Sequence, residues 1–181
     1  MKRILVAMCI TLSATIIFCQ TAFCQSTTGR RSSAQDLLIK SEVETAISML
    51  QAIFSKHQKG EFTLEQAKQL GADILRGLRY GQDGYFWADT TDGVNVVLYG
   101  QKDVEGKSRL EFKDHKGTFI IKDFIAKAKA GGGYEDYWFQ RENQTTPLPK
   151  RGYVQAFEPF GWVVGTGYYL PTDKATGEIV E

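Results

Sequence analysis

The 181-residue chain is poor in the side chains that build covalent and metal chemistry, with three cysteines and two histidines. All three cysteines, Cys9, Cys19 and Cys24, fall within the first 24 residues. A chain that loses this segment on export has no disulfide, no thiol nucleophile and no thiolate metal site. His57 closes an amphipathic stretch and His115 lies in the charged turn Lys113-Asp114-His115-Lys116-Gly117, so both read as solvated side chains. There is no GxSxG, HExxH, P-loop or CxxCH segment. Without a nucleophile–base constellation no enzymatic activity, cofactor or metal is expected. Net charge is also missing: 22 Lys and Arg face 21 Asp and Glu, a formal +1. The basic excess that a phosphate backbone attracts is absent, which speaks against nucleic acid as a partner. Four prolines rule out a collagen-like or proline-rich disordered chain. The length allows one domain and no second output module.

Only one long apolar run is present, from Ile4 to Cys19, broken by Thr11, Ser13 and Thr15. It is shorter than the ~20 apolar residues of a membrane span. Preceded by Lys2 and Arg3 and followed by Thr21-Ala22-Phe23-Cys24, it has the layout of a cleaved signal peptide covering residues 1–24, with Ala22 and Cys24 at the −3 and −1 positions. An uncleaved anchor and a lipoprotein are the alternatives, and the bulky Phe23 fits lipoprotein processing poorly. Export to the periplasm is therefore expected, with 20 basic and 21 acidic residues left after the cut.

Residues 25–34, QSTTGRRSSA, are small and polar and read as a flexible lead-in. From Gln35 to Lys56, Leu38, Val43, Ile47, Leu50 and Phe54 recur at helical spacing. Thr63-Leu-Glu-Gln66 is a capping-box start, and Leu64, Ala67, Leu70, Ile74, Leu75 and Leu78 form the stripe of a second helix. At Tyr80 the composition switches: 18 of the 20 aromatics outside the first 24 residues lie between Tyr80 and Tyr169, the mark of strands. Gly84–Ala88 and Asn95–Tyr99 flank a Thr-Thr-Asp-Gly turn as a hairpin, and Tyr134–Arg141, Arg151–Phe160 and Trp162–Leu170 read as three more strands. A short helix within Gly117–Ala130 stops at Gly131-Gly132-Gly133. The order predicts an α+β fold with an antiparallel sheet of about five strands.

Two segments combine cations with aromatics. In Leu78-Arg79-Tyr80-Gly81-Gln82-Asp83-Gly84-Tyr85-Phe86-Trp87-Ala88-Asp89 an Arg leaves a helix end and a strand of consecutive aromatics follows. Strand alternation sends Tyr85 and Trp87 to one face and Phe86 to the other. Pro149-Lys150-Arg151-Gly152-Tyr153-Val154 places a cation just before a strand carrying Tyr153. For any one of these residues alone, core packing or surface placement is the simpler account. Glu105-Gly106 and Lys113-Asp114 read as turn surface.

Together and in order, LRYG-x-x-GYFW-x-D, DGVNVVLYG, EGKSRLEFKDHKG, GGGYEDYWF and PKRGYVQAFEPFGWVVGTGYYL resemble the single Cache domain, type 2, of bacterial extracytoplasmic sensors, over about Leu37 to Leu170. The resemblance implies a PAS-like antiparallel sheet with long helices on one face and a small ligand pocket on the other, in a domain spanning 35–170 before a tail at 171–181. It also implies binding of a small organic acid and signalling through a membrane receptor or histidine kinase. A carboxylate leaving water needs charge-assisted donors, and an aromatic wall covers its alkyl tail. The candidate ligand-binding residues are Arg79, Tyr85, Trp87, Lys150 and Tyr153, with Tyr99 and Tyr137 added. Arg79 has a structural alternative, satisfying helix carbonyls. The chain departs from the family in having Leu98-Tyr99-Gly100 where many members have a His-Pro pair, and in having only Pro171–Glu181 after the last strand, so a freestanding exported domain is expected. The rival reading is a ligand-independent periplasmic interaction module, with a homodimer through the N-terminal helix.

Overall fold

The computed structural model describes residues 14–173 and 179–180, with side chains from Ala34 onward. Lys2, Arg3 and the first part of the apolar run, with Cys9, lie outside the described residues, as do 174–178 and 181 of the tail. The chain divides into two units, residues 1–36 and 37–181. The described part of the first unit is helical and belongs to α1 (Ala14–Gln58). Residues 25–34 are thus helix rather than the irregular lead-in expected; the segment lacks proline, and Gly29 costs only ~1 kcal/mol relative to alanine. Among the described residues no helix is long and apolar enough to cross a membrane.

In the second unit α1 buries Ile39, Val43, Ala46, Leu50 and Ile53, one stripe at helical period. α2 (Leu64–Gly77) opens with the expected capping box: the Thr63 hydroxyl accepts from Gln66 N, and the Gln66 side chain accepts from Thr63 N at 2.8 Å. Its buried face is Ala67, Gly71, Ala72 and Leu75, while Leu64 and Leu70 of the expected stripe are exposed. Close approach is the reason. A Cβ on Gly71 would stand 2.8 Å from Leu50 Cδ2, so a small residue takes that contact, while Leu75 is buried and Leu64 and Leu70 are exposed.

The strands are β1 (Arg79–Tyr80), β2 (Gly84–Thr90), β3 (Asn95–Leu98), β4 (Gly133–Gln140), β5 (Pro147–Phe157) and β6 (Trp162–Tyr169), with α3 (Ile120–Lys129) between β3 and β4. All pairings are antiparallel, in the order β1-β2-β6-β5-β4 with β3 also on β2. The sheet has six strands rather than five because Arg79 and Tyr80 fold back onto Tyr85 and Gly84. β5 starts at Pro147, ahead of the expected Arg151, so Lys150 is inside a strand. It ends at Phe157, and a 3₁₀ turn over Glu158–Phe160 closes through the left-handed Gly161 (φ 68°) into β6.

Period-two alternation splits the sheet into two faces. Phe86, Ala88, Val97, Phe157, Trp162 and Val164 pack with α1 and α2. Tyr85, Trp87, Leu98, Tyr137, Phe139, Val154 and Val163 pack with α3. The long connection from Tyr99 to Phe119 runs over the second face. Asp114 ties it down: Oδ1 accepts from Lys116 N (2.8 Å) and Thr118 N (2.9 Å), and Oδ2 from Trp138 N on β4 (3.0 Å). Asp114 is buried, not turn surface, and Glu105 pairs with Arg76 at 2.9 Å.

Candidate functional site

The second face of the sheet carries a buried cation. Lys150 pairs in register with Tyr137 on β4 and Tyr169 on β6, so all three side chains share that face. Lys150 is 1% exposed. Its Nζ donates to the Tyr85 hydroxyl at 2.6 Å and lies 4.1, 5.0, 5.8 and 4.9 Å from the ring centroids of Tyr85, Trp87, Phe139 and Tyr169. Four π faces stabilise a cation in part, but no described carboxylate pairs with this one. Burial therefore drives the Lys150 ammonium from its ordinary 10.5 to about 7, against the pull of Asp83 and with a smaller push from Arg141. Burial also holds the Tyr85 and Tyr137 hydroxyls well above their ordinary value, and that of Tyr169 above it, so these phenols stay protonated.

Trp87 forms the floor. Its ring stacks on Phe124 at 5.5 Å and meets Tyr137 edge-on. Two glycines make room for it. A Cβ on Gly165 would stand 2.6 Å from the indole carbons, and one on Gly152 would stand 3.1 Å from both Trp87 and Tyr137. The Trp87 Nε1 donor is buried without an acceptor. Across the cavity stands Arg109 of the long connection, whose main-chain N–H donates to Gly93 O at 2.8 Å, pinning it to the β2–β3 turn. The Arg109 Nη1 is 3.6 Å from Oδ1 of Asp89, itself buried and bonded by Asn95 Nδ2 at 2.9 Å. Burial raises the Asp89 carboxyl while Arg109 and Asn95 oppose the rise.

These side chains leave an inner cavity of about 10 Å³ lined by Tyr85, Trp87, Leu98, Arg109, Ile120, Phe124, Tyr137 and Phe139. That is room for about one water. Outside it lies an open cleft of about 410 Å³ lined by Arg79, Tyr85, Tyr99, Arg141 and Tyr169 among others. Tyr85 is a wall of both. Arg141 pairs with Asp83 and lies over the Tyr169 ring at 4.2 Å. Arg79 donates to the carbonyls of Arg76 (2.9 Å) and Leu78 (2.7 Å) and lies 3.6 Å from the Tyr99 ring centroid, the helix-end role that was its alternative.

Of the residues singled out in the sequence, Tyr85, Trp87 and Tyr137 line the inner cavity with Lys150 beside them, while Arg79 and Tyr99 line the outer cleft. Tyr153 is not among them. It packs on the opposite face against Ile39 and Val43 of α1, with its ring 4.9 Å from that of Tyr134. Lys150 and Tyr153 are three apart on one strand, an odd spacing that sends them to opposite faces, so strand parity alone separates them once β5 includes both. Arg109 and Tyr169 were missed. Arg109 sits in an irregular connection with no periodicity to reveal it, and Tyr169 joins the site only through the β5–β6 register.

A six-stranded antiparallel sheet with α1 and α2 on one face and α3 on the other is an α+β fold of the PAS-like kind. The chain belongs to the single Cache domain 2 family, whose family model matches residues 32–176. It is 39% identical over 125 residues to the sensor histidine kinase MctS of Rhizobium johnstonii, covering 69% of this chain and 26% of that protein. It is 26% identical over 134 residues to the methyl-accepting chemotaxis protein McpP of Pseudomonas putida, covering 74% and 25%. The chain thus spans about a quarter of the length of these curated relatives. Among solved structures, a Cache chemosensory domain described for carboxylic acid recognition matches with TM-score 0.75 and 29% identity, over 80% of this chain and 99% of that one. A periplasmic sensor domain of a chemotaxis protein matches with TM-score 0.73 and 27% identity, over 77% and 97%.

Proposed function

We propose that this chain is an exported sensory domain that binds a small organic acid, its carboxylate against Lys150 and its alkyl tail against Trp87, Tyr137 and Phe124. Residues 1–24 act as a cleaved signal peptide, and the domain works in the periplasm by binding rather than by turnover. Its occupancy passes to a membrane receptor or histidine kinase. The observation that carries this reading is a lysine 1% exposed with no carboxylate partner among the described residues, near a buried indole N–H with no acceptor. A buried cation lacking a counter-ion is the half of an ion pair that a carboxylate completes. The solved relative described for carboxylic acid recognition supports the same ligand class. Acetate is larger than the inner cavity, so binding displaces the Tyr85–Lys150 hydrogen bond and swings the Tyr85 ring toward the outer cleft. A thermal-shift screen with C2–C4 acids tests the reading. Ligand at 100 times Kd adds about 2.7 kcal/mol, or roughly 5–10 °C for a domain of this size. No shift with any such acid refutes it.

One observation favours the second reading, a ligand-independent interaction module: the cavity of about 10 Å³ is filled by the protein's own side chains. Leu37 and Leu38 of α1 are 67% and 47% exposed, the kind of surface on which a homodimer through that helix would form. A dimer in light scattering that no acid changes, together with a flat thermal-shift screen, selects this reading.

A further inference from the structure

We propose that, at and above neutral pH, the pocket takes up its acid together with one proton, so that occupancy follows the concentration of the undissociated acid rather than that of the anion. This rests on the carboxylate reading above and adds the chemical species that the site registers.

An enclosure of aromatic rings with no counter-ion favours the neutral amine of Lys150 over the ammonium, whose ligand-free pKa falls to about 7. A carboxylate entering beside a neutral amine leaves a buried, unpaired negative charge. A carboxylate and a proton entering together leave a neutral, hydrogen-bonded ion pair.

No other group facing Lys150 supplies that positive charge. From β2, β4 and β6 it meets Tyr85, Tyr137 and Tyr169, phenols held protonated and neutral by burial. At the outer cleft Asp83 and Arg141 neutralise one another. From the long connection Arg109 faces Asp89. Lys150 is therefore the group whose protonation changes when a carboxylate arrives. Above the ligand-free pKa, occupancy scales with the product of anion and proton concentrations, and that product is proportional to the undissociated acid.

Isothermal titration calorimetry of the purified protein with acetate and propionate, in two buffers of different ionisation enthalpy, measures the proton count directly. The expected result is uptake near zero at pH 6.0 and near one proton per acid at pH 8.5, with affinity about 30-fold weaker at the higher pH. Binding at both pH values with no uptake at pH 8.5 overturns the inference while leaving the carboxylate reading intact. Absence of binding at pH 6.0 overturns both.

Discussion

Replacing Lys150 with methionine should stabilise the ligand-free protein while abolishing acid binding. Methionine matches the length of the lysine stem and makes favourable sulfur–aromatic contacts with the surrounding rings. The folded-state amine is depressed from 10.5 to about 7, whereas the unfolded chain retains its ordinary value. Between those two values the unfolded state holds more protons, so stability rises with pH across that window and is lowest below it. At pH 6 the charged, buried amine costs the folded state roughly 4–5 kcal/mol. Losing the bond to Tyr85 removes about 1 kcal/mol, leaving a net gain of about 3 kcal/mol for Lys150→Met. Above pH 7 the gain shrinks by about 1.4 kcal/mol per unit and is below about 1 kcal/mol by pH 9.5. Urea denaturation of both proteins at half-unit steps from pH 6 to 9.5 measures this. At pH 6 the variant should melt about 6–12 °C higher. A variant less stable than wild type at pH 6, or a stability difference independent of pH, refutes the reasoning that Lys150 is an uncompensated buried charge.

Asp114→Ala frees three main-chain N–H donors and should cost about 2–4 kcal/mol in chemical denaturation, with faster amide exchange confined to the long connection and the start of α3. Gly165→Ala brings a methyl to 2.6 Å from the Trp87 ring, forces that ring to shift, and should cost about 1–3 kcal/mol and weaken acid binding; an unchanged Trp fluorescence spectrum and melting temperature would contradict the packing described. Arg79→Ala should leave acid affinity within about threefold and cost about 0.5–1 kcal/mol, because its guanidinium bonds helix-end carbonyls outside the inner cavity; calorimetric loss of binding would place it in the ligand shell instead.

The elements whose signals are local were legible in the chain. The Thr63–Gln66 capping box, the Gly131-Gly132-Gly133 stop after α3, whose last glycine opens β4, and the alternation of Tyr85 and Trp87 against Phe86 each depend on neighbours a few residues away. All three appear as expected. The α2 stripe is legible only in part: Ala67 and Leu75 are buried, whereas Leu64 and Leu70 are exposed, because at the close approach to Leu50 the small Gly71 takes the contact.

The candidate site divides along the same line. Composition and strand alternation determined an α+β domain with an antiparallel sheet, and pointed to Tyr85, Trp87, Tyr137 and Lys150, which the fold brings together on one face of that sheet. Tertiary structure alone decided that Lys150 is enclosed by four rings without a counter-ion among the described residues, that Arg109 crosses from an irregular connection to the neighbouring cavity, and that Tyr153 belongs to the α1 face. Burial and register join residues far apart in the chain: Lys150 meets Tyr85 across 65 positions. A lysine's charge is written in the sequence, but whether that charge has a partner depends on which strands come to lie beside it.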